Sequence, residues 1–179
     1  MSKKVLIITT SLRPNSNSDK LAESFAMGAE EAGNPVETIS LKGKTIAFCK
    51  GCFACSKIGH CVINDDANEI TEKILNAEVV VWTTPIYYYE MSGQLKTLLD
   101  RLNPLYPSDY AFREVYVMTS AAEDDDYVPN RAENGVGGWV DCFAKARMAG
   151  TVFMGGVGAA GEYKNHPALE KAREMGRRA

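Results

Sequence analysis

The 179-residue chain is poor in histidine, with only His60 and His166, and no Ser-His-Asp set or G-x-S-x-G elbow can be assembled from its residues. It also lacks G-x-G-x-x-G and G-x-x-x-x-G-K-[ST], which removes the usual dinucleotide and nucleoside-triphosphate loops. No apolar run approaches the length that crosses a bilayer. The start, Met1-Ser2-Lys3-Lys4 followed by the short run Val5 to Thr10, is too brief for a signal peptide. A cytoplasmic protein without a membrane partner is expected. The net charge is only -3, and the basic residues Lys171, Arg173, Arg177 and Arg178 read as the cationic end of a last helix, so nucleic acid is not an expected partner. With no repeat, low-complexity tract or linker rich in Pro, Gly and Ser, residues 1–179 read as a single domain.

Cysteine, by contrast, is concentrated. Four of the five fall in the run Cys49-x-x-Cys52-x-x-Cys55-x5-Cys61, a spacing that lets a tight loop turn several sulfurs toward one point. Clustered cysteines in a reducing compartment are ligands or redox groups more often than disulfides. Three readings stand: an iron–sulfur cluster, a zinc site with His60 as a substitute ligand, or reduced thiols that order a long loop. The segment Ser40 to Asn64 that carries them shows no clear periodicity, and connections of that length are usually functional or disordered. Cys142 lies alone in a helical pattern and reads as packing.

Short apolar runs at Val5 to Thr9, Pro35 to Ile39, Val79 to Thr83, Val115 to Thr119 and Thr151 to Met154 predict five strands, with amphipathic segments between most of them. That alternation implies a parallel sheet covered on both faces. Asp66-Ala-Asn-Glu69 reads as a capping box opening the helix with Ile70, Ile74 and Leu75, with Asp65-Asp66 at its start. A helix over Met91 to Leu102 carries Leu95, Leu98, Leu99 and Leu102. Gly135-Val-Gly-Gly138 and Gly155-Gly-Val-Gly158-Ala-Ala-Gly161 read as glycine-rich loops, the second needing close backbone approach.

After the first strand, the loop Thr10 to Asp19 offers Ser11, Arg13, Ser16, Asn17 and Ser18, together with the open N–H groups of a helix start, to a phosphate. A plainer reading makes Ser16 or Ser18 a helix cap and the rest a solvated turn. The third strand runs into Thr83-Thr84-Pro85-Ile86-Tyr87-Tyr88-Tyr89-Glu90-Met91-Ser92-Gly93-Gln94-Leu95-Lys96, completed by Asp100-Arg101. Strand and P-x-Y-x3-M-S-G-Q-L-K-x-x-x-D-R together resemble the flavodoxin-like NAD(P)H-dependent FMN reductases, and the first loop is similar to their phosphate loop. The resemblance runs from Val5 to about Gly176, with Thr10 standing where that family usually has Gly. The cysteine run, followed by Asp65-Asp66, also resembles the iron–sulfur flavoprotein branch, although relatives with flavin alone share the same phrase.

The resemblance implies an α/β fold, flavodoxin-like and doubly wound, with a five-stranded parallel sheet of order 2-1-3-4-5 and FMN at the carboxyl edge of the strands. It implies that Ser11, Arg13, Ser16, Asn17 and Ser18 hold the FMN phosphate. Pro85, Ile86, Tyr87, Tyr88, Tyr89 and Met91 would line the isoalloxazine and ribityl, and backbone groups of Ser120 and Ala121 would reach the ring. Cys49, Cys52, Cys55 and Cys61 would hold [4Fe-4S] in the iron–sulfur branch. The activity implied is hydride transfer from NAD(P)H to FMN and on to a quinone, azo or nitro compound, free flavin or a redox protein, with no acid–base dyad required. The assembly implied is a homodimer whose partner surface helps cover the flavin. An electron carrier without nicotinamide binding, and a thiol or zinc sensor, are the competing classes.

Overall fold

The computed structural model describes residues 2–179. Strand β1 (Val5–Thr9) is buried along its whole length, as befits a central parallel strand covered on both faces. It is flanked by β2 (Val36–Ser40) at one edge and by β3 (Val79–Tyr87) on the other side. Beyond β3 lie β5 (Glu114–Ser120) and β6 (Arg147–Met154), giving the parallel order β2-β1-β3-β5-β6. The five expected strands therefore stand in the expected order, with β3 and β6 longer than their apolar runs.

The sheet has a sixth member. Residues Glu90–Met91 form β4, antiparallel to the end of β3, with Ile86 opposite Met91 and Tyr87 opposite Glu90. The count of five is thus corrected to six. The hairpin tip, Tyr88 and Tyr89, has positive φ at both residues (51° and 64°), the sign pattern of a type I′ turn normally given to Asn-Gly.

Alternation along the strands sorts the core into two layers. Leu6, Ile8, Val80, Trp82, Val115 and Val117 face α3 (Asp66–Asn76), α4 (Gly93–Arg101) and α5 (Asn130–Val140). Val5, Ile7, Val79, Val81, Tyr116 and Met118 face α1 (Asn17–Glu31) and α6 (Ala168–Arg178). Helices α1 and α6 approach so closely that a β carbon on Gly28 would lie 1.9 Å from the Arg173 carbonyl oxygen, and one on Gly176 2.1 Å from that of Phe25. The basic end of α6 closes this contact, Arg173 and Arg177 both pairing with Glu31, which holds the Glu31 carboxyl down at about 2.

Several local expectations need correcting. The cap of α3 is Asp65, whose side chain accepts from Ala67 N at 3.1 Å, because Asp66 instead accepts from Thr45 N and pairs with Lys44. Helix α4 begins two residues later than expected, since Met91 is taken by β4 and the Ser92 side chain caps the helix. Gly135, Gly137 and Gly138 are helical within α5 rather than in a loop, and Gly135 sits against the Met91 side chain. Cys142 lies just past α5 and is exposed, so it does not pack. The cysteine loop contains one short helix, α2 (Cys55–Ile58). No helix of the described residues is long and apolar enough to cross a membrane.

Candidate functional site

At the carboxyl edge of the strands, four segments meet around a cavity of about 200 Å³. The β1–α1 loop contributes Ser11, Arg13, Ser16 and Asn17; the end of β3 contributes Pro85, Ile86 and Tyr87; the end of β5 contributes Ser120, Ala121 and Ala122. Val157 and Gly158, after β6, complete the lining. The last pair was not assigned to the site from sequence. The one signal for it was the second glycine-rich segment: a β carbon on Gly155 would lie 2.6 Å from Asp124 Cα and 2.9 Å from Glu123 O, so the loops after β5 and β6 touch there backbone to backbone.

The start of α1 is open. Ser16 occupies the N-cap position in extended conformation but makes no side-chain cap bond, because its Oγ pairs with Ser18 Oγ at 2.9 Å. A simple capping role for Ser16 or Ser18 is thereby set aside. Lys20 N is the first amide to find its helical carbonyl, Ser16 O. The N–H groups of Asn17, Ser18 and Asp19 have no acceptor among the described residues, and uncapped donors at the positive end of a helix dipole suit an anion. The Asn17 side chain is already engaged, its Nδ2 donating to Ala159 O at 2.9 Å and its Oδ1 accepting from Tyr163 N at 3.2 Å, which ties α1 to the loop after β6. Arg13 Nη1 donates to Gly158 O at 2.7 Å across the cavity mouth. Burial, reinforced by Glu23, pushes the Asp19 carboxyl up to about 6.

Thr10 anchors this loop. Its hydroxyl donates to Thr83 O at 2.9 Å and pairs with Ser92 Oγ at 3.0 Å, while Ser92 N donates to Thr84 Oγ1 at 3.0 Å. One buried hydroxyl chain thus links the β1–α1 loop to the end of β3 and the cap of α4.

The remaining nominated residues stand outside the cavity wall. Ser18 is buried behind Ser16, and Met91 is buried in the core on the α5 side. Tyr88 is 97% exposed at the hairpin tip. Tyr89 donates from its hydroxyl to Glu123 at 2.9 Å, a bond that raises its pKa and ties the hairpin to the β5 loop. Tyr87 is shared: it also lines an open groove of about 510 Å³ with Leu41, Lys44, Ile46, Phe48, Gly93, Gln94 and Thr97. A cavity of about 610 Å³ at the opposite edge of the sheet, lined by Lys4, Pro35, Glu37 and Lys73, lies away from the strand ends where such folds bind ligands.

Cys49, Cys52, Cys55 and Cys61 line one further cavity of about 290 Å³ with Phe53, Ile63, Arg101, Asn103 and Pro104 among its other residues. All four are free thiols. The sulfurs of Cys49 and Cys55 accept hydrogen bonds from Gly51 N at 3.4 Å and Asn103 Nδ2 at 3.1 Å. Among the described residues no three histidine, cysteine or acidic side chains converge as an ion-holding set, so the sulfurs share a cavity without meeting at one point. His60 lies outside this wall, its ring Nδ1 near Ile58 O at 3.1 Å. The donor set nevertheless suits a thiolate-ligated group: four sulfurs, N–H donors aimed at two of them, and a buried guanidinium in the wall whose Nε has no partner.

Residues 3–126, which contain the β1–α1 loop, the cysteine run and the β3 hairpin, match the family described as NADPH-dependent FMN reductase. The chain belongs to that family. It is similar to an iron–sulfur flavoprotein of Methanocaldococcus jannaschii, 38% identical over 102 residues that make up 57% of this chain and 53% of the relative. The chain spans about half the length of the curated relatives it matches. Its fold matches an NAD(P)H:quinone oxidoreductase from Methanothermobacter marburgensis with a TM-score of 0.80 and 20% identity, covering 99% of this chain and 96% of that one. An azoreductase from Bacillus anthracis matches with a TM-score of 0.75 and 18% identity over the full length of both chains.

Proposed function

We propose that this protein is an FMN-dependent oxidoreductase that takes hydride from NAD(P)H and reduces a small acceptor such as a quinone, azo or nitro compound, or free flavin. The observation that carries the reading is the convergence of Ser11, Arg13, Ser16, Asn17, Pro85, Ile86, Tyr87, Ser120 and Ala121, from one loop and two strand ends, on one cavity. Family membership and the open helix start support it. When bound, FMN supplies the chemistry, accepting a hydride and giving up its electrons singly or in pairs.

The chain's own part is binding and shaping. The uncapped amides of Asn17, Ser18 and Asp19 and the hydroxyls of Ser11 and Ser16 hold the phosphate, with Arg13 offsetting its charge. Pro85, Ile86 and Tyr87 form one wall of the ring site, and the Ser120 to Ala122 backbone forms the other. The groove shared by Tyr87 and Phe48 gives an apolar acceptor a place beside it. A second copy of the chain covers the mouth in this reading, meeting the exposed Phe48, Tyr88 and Tyr127. Titration of FMN fluorescence against the protein, followed by NADH and NADPH oxidation by the loaded protein with a quinone, tests the proposal. Saturable quenching with turnover is expected; no quenching would end it.

A second reading is favoured by the cysteine cavity: an iron–sulfur flavoprotein in which Cys49, Cys52, Cys55 and Cys61 hold [4Fe-4S] and electrons leave to a redox protein. A relative bearing that name and the shared sulfur-lined cavity support it. A cluster there would supply one-electron transfer. Iron and acid-labile sulfide analysis decides between this reading and zinc, which would give a metal-bearing but iron-free site.

A further inference from the structure

Arg101, in the last turn of α4, is 1% exposed, yet it forms part of the wall of the sulfur-lined cavity. Its Nη1 donates to Ala47 O at 2.8 Å and Asp65 Oδ2 at 2.6 Å, and its Nη2 donates to Ile63 O at 3.1 Å and Asp65 Oδ1 at 2.9 Å. Ala47 precedes the first cysteine of the run and Ile63 follows the last. Asp65 holds the entry a second time by accepting from Ala47 N at 2.9 Å. One guanidinium therefore draws both ends of the cysteine loop to a single point in the core.

A guanidinium stays protonated at any ordinary pH, and Arg101 pairs with the Asp65 carboxylate at 2.6 Å, so the group is cationic where it stands. The remaining donor, Nε–H, is buried without a hydrogen-bond partner. A buried donor left open in the wall of a cavity of thiols calls for an acceptor. Neutral thiols are weak acceptors, whereas thiolates and cluster sulfides are strong ones.

We propose that Arg101 is a positioning residue for the cysteine cavity, holding the loop closed and presenting a fixed N–H and positive charge to an anionic occupant ligated by the four thiolates. This rests on the reading of that cavity as a [4Fe-4S] site. Such a cluster is anionic, and its negative charge increases by one on reduction. Arg101 lines the cavity and its partner Asp65 does not, so the occupant faces the N–H donor and positive end of the pair, which favours the reduced form and raises the potential.

The experiment compares wild type, Arg101→Lys, and the double variant Arg101→Met/Asp65→Asn, which avoids stranding a buried carboxylate. Iron is counted after anaerobic reconstitution, the potential is read by redox titration followed by electron paramagnetic resonance, and amide hydrogen exchange over residues 47–63 is measured on the iron-free proteins. The expected results are iron in the wild type, a potential shifted to more negative values in the double variant with Arg101→Lys between, and exchange at least tenfold faster over 47–63. A double variant that takes up no iron but shows the faster exchange supports the clamp. Wild-type exchange in that variant overturns it. Wild-type protein without iron overturns the cluster reading and this proposal with it. Iron-loaded variants with an unmoved potential overturn the Arg101 proposal alone.

Discussion

Replacing Thr10 with valine keeps the shape of the side chain and deletes one hydroxyl from the buried chain beneath the β1–α1 loop. Thr10 Oγ1 donates to Thr83 O, so the hydrogen shared with Ser92 Oγ at 3.0 Å belongs to Ser92. Both side chains are fully buried. Valine leaves the Ser92 hydroxyl without an acceptor, and a stranded buried donor costs about 1 to 3 kcal/mol. The Thr83 carbonyl loses less, because Thr10 N still donates to it. With urea slopes of about 2 kcal/mol per molar, the unfolding midpoint of the flavin-free protein should fall by roughly 0.5 to 1.5 M. Ser92→Ala removes the other partner and also the cap on Leu95 N, so the two changes should be non-additive. Thr10→Val should cost at least about 0.5 kcal/mol less in the Ser92→Ala background. A Thr10→Val protein within about 0.5 kcal/mol of wild type, or strict additivity with Ser92→Ala, would refute the hydroxyl chain as a structural link.

Four other outcomes are expected. Arg13→Ala combined with Ser16→Ala should weaken FMN binding, each charge-assisted contact being worth about 1.5 to 3 kcal/mol, or roughly 10- to 150-fold; unchanged affinity in a fluorescence titration would remove those residues from the phosphate site. The Asp19 carboxyl is raised to about 6 by burial, so its ionisation weakens the folded state as pH rises from about 4 through 6. Asp19→Asn should therefore stabilise the protein at pH 7 by about 1 kcal/mol after screening of this half-buried group, with the gain gone at pH 4; a pH-independent effect in urea melts would contradict the assignment. Tyr88 has φ of 51° and is 97% exposed. Relieving a left-handed residue is worth about 1 to 2 kcal/mol against about 0.5 to 1 for glycine entropy, so Tyr88→Gly should raise the melting temperature, and a lower one would disprove the strain. Gly28→Ala drives a methyl into the Arg173 carbonyl and should cost at least about 2 kcal/mol, measured by denaturant unfolding.

What the sequence made legible was what is local. The five long strands are apolar runs such as Val5 to Thr9, and the β1–α1 loop is one continuous segment between a strand and a helix, so both could be read in order. Strand β4 was hidden because two residues carry no periodicity and Tyr88-Tyr89 is not a turn signal. The glycines of α5 suggested a loop, whereas all three are helical, Gly135 sitting against the Met91 side chain. The Arg101 clamp was hidden for another reason: Asp65 and Arg101 are 36 residues apart, and only the fold brings them within 2.6 Å. Val157 and Gly158 likewise reach the candidate flavin cavity from the far end of the chain, where a glycine-rich stretch hinted at close approach without naming its partner. The fold and the continuity of the β1–α1 loop were therefore readable in advance, while the far wall of the candidate cavity and the hydrogen bonds of Arg101 were set by long-range contacts.

The most direct test of the account is an ultraviolet–visible spectrum of protein purified without oxygen, with flavin, iron and acid-labile sulfide determined on the same sample. The account predicts flavin bands from bound FMN, and iron with matching sulfide where the cysteine cavity holds its cluster. A colourless protein that takes up no FMN on titration would contradict it.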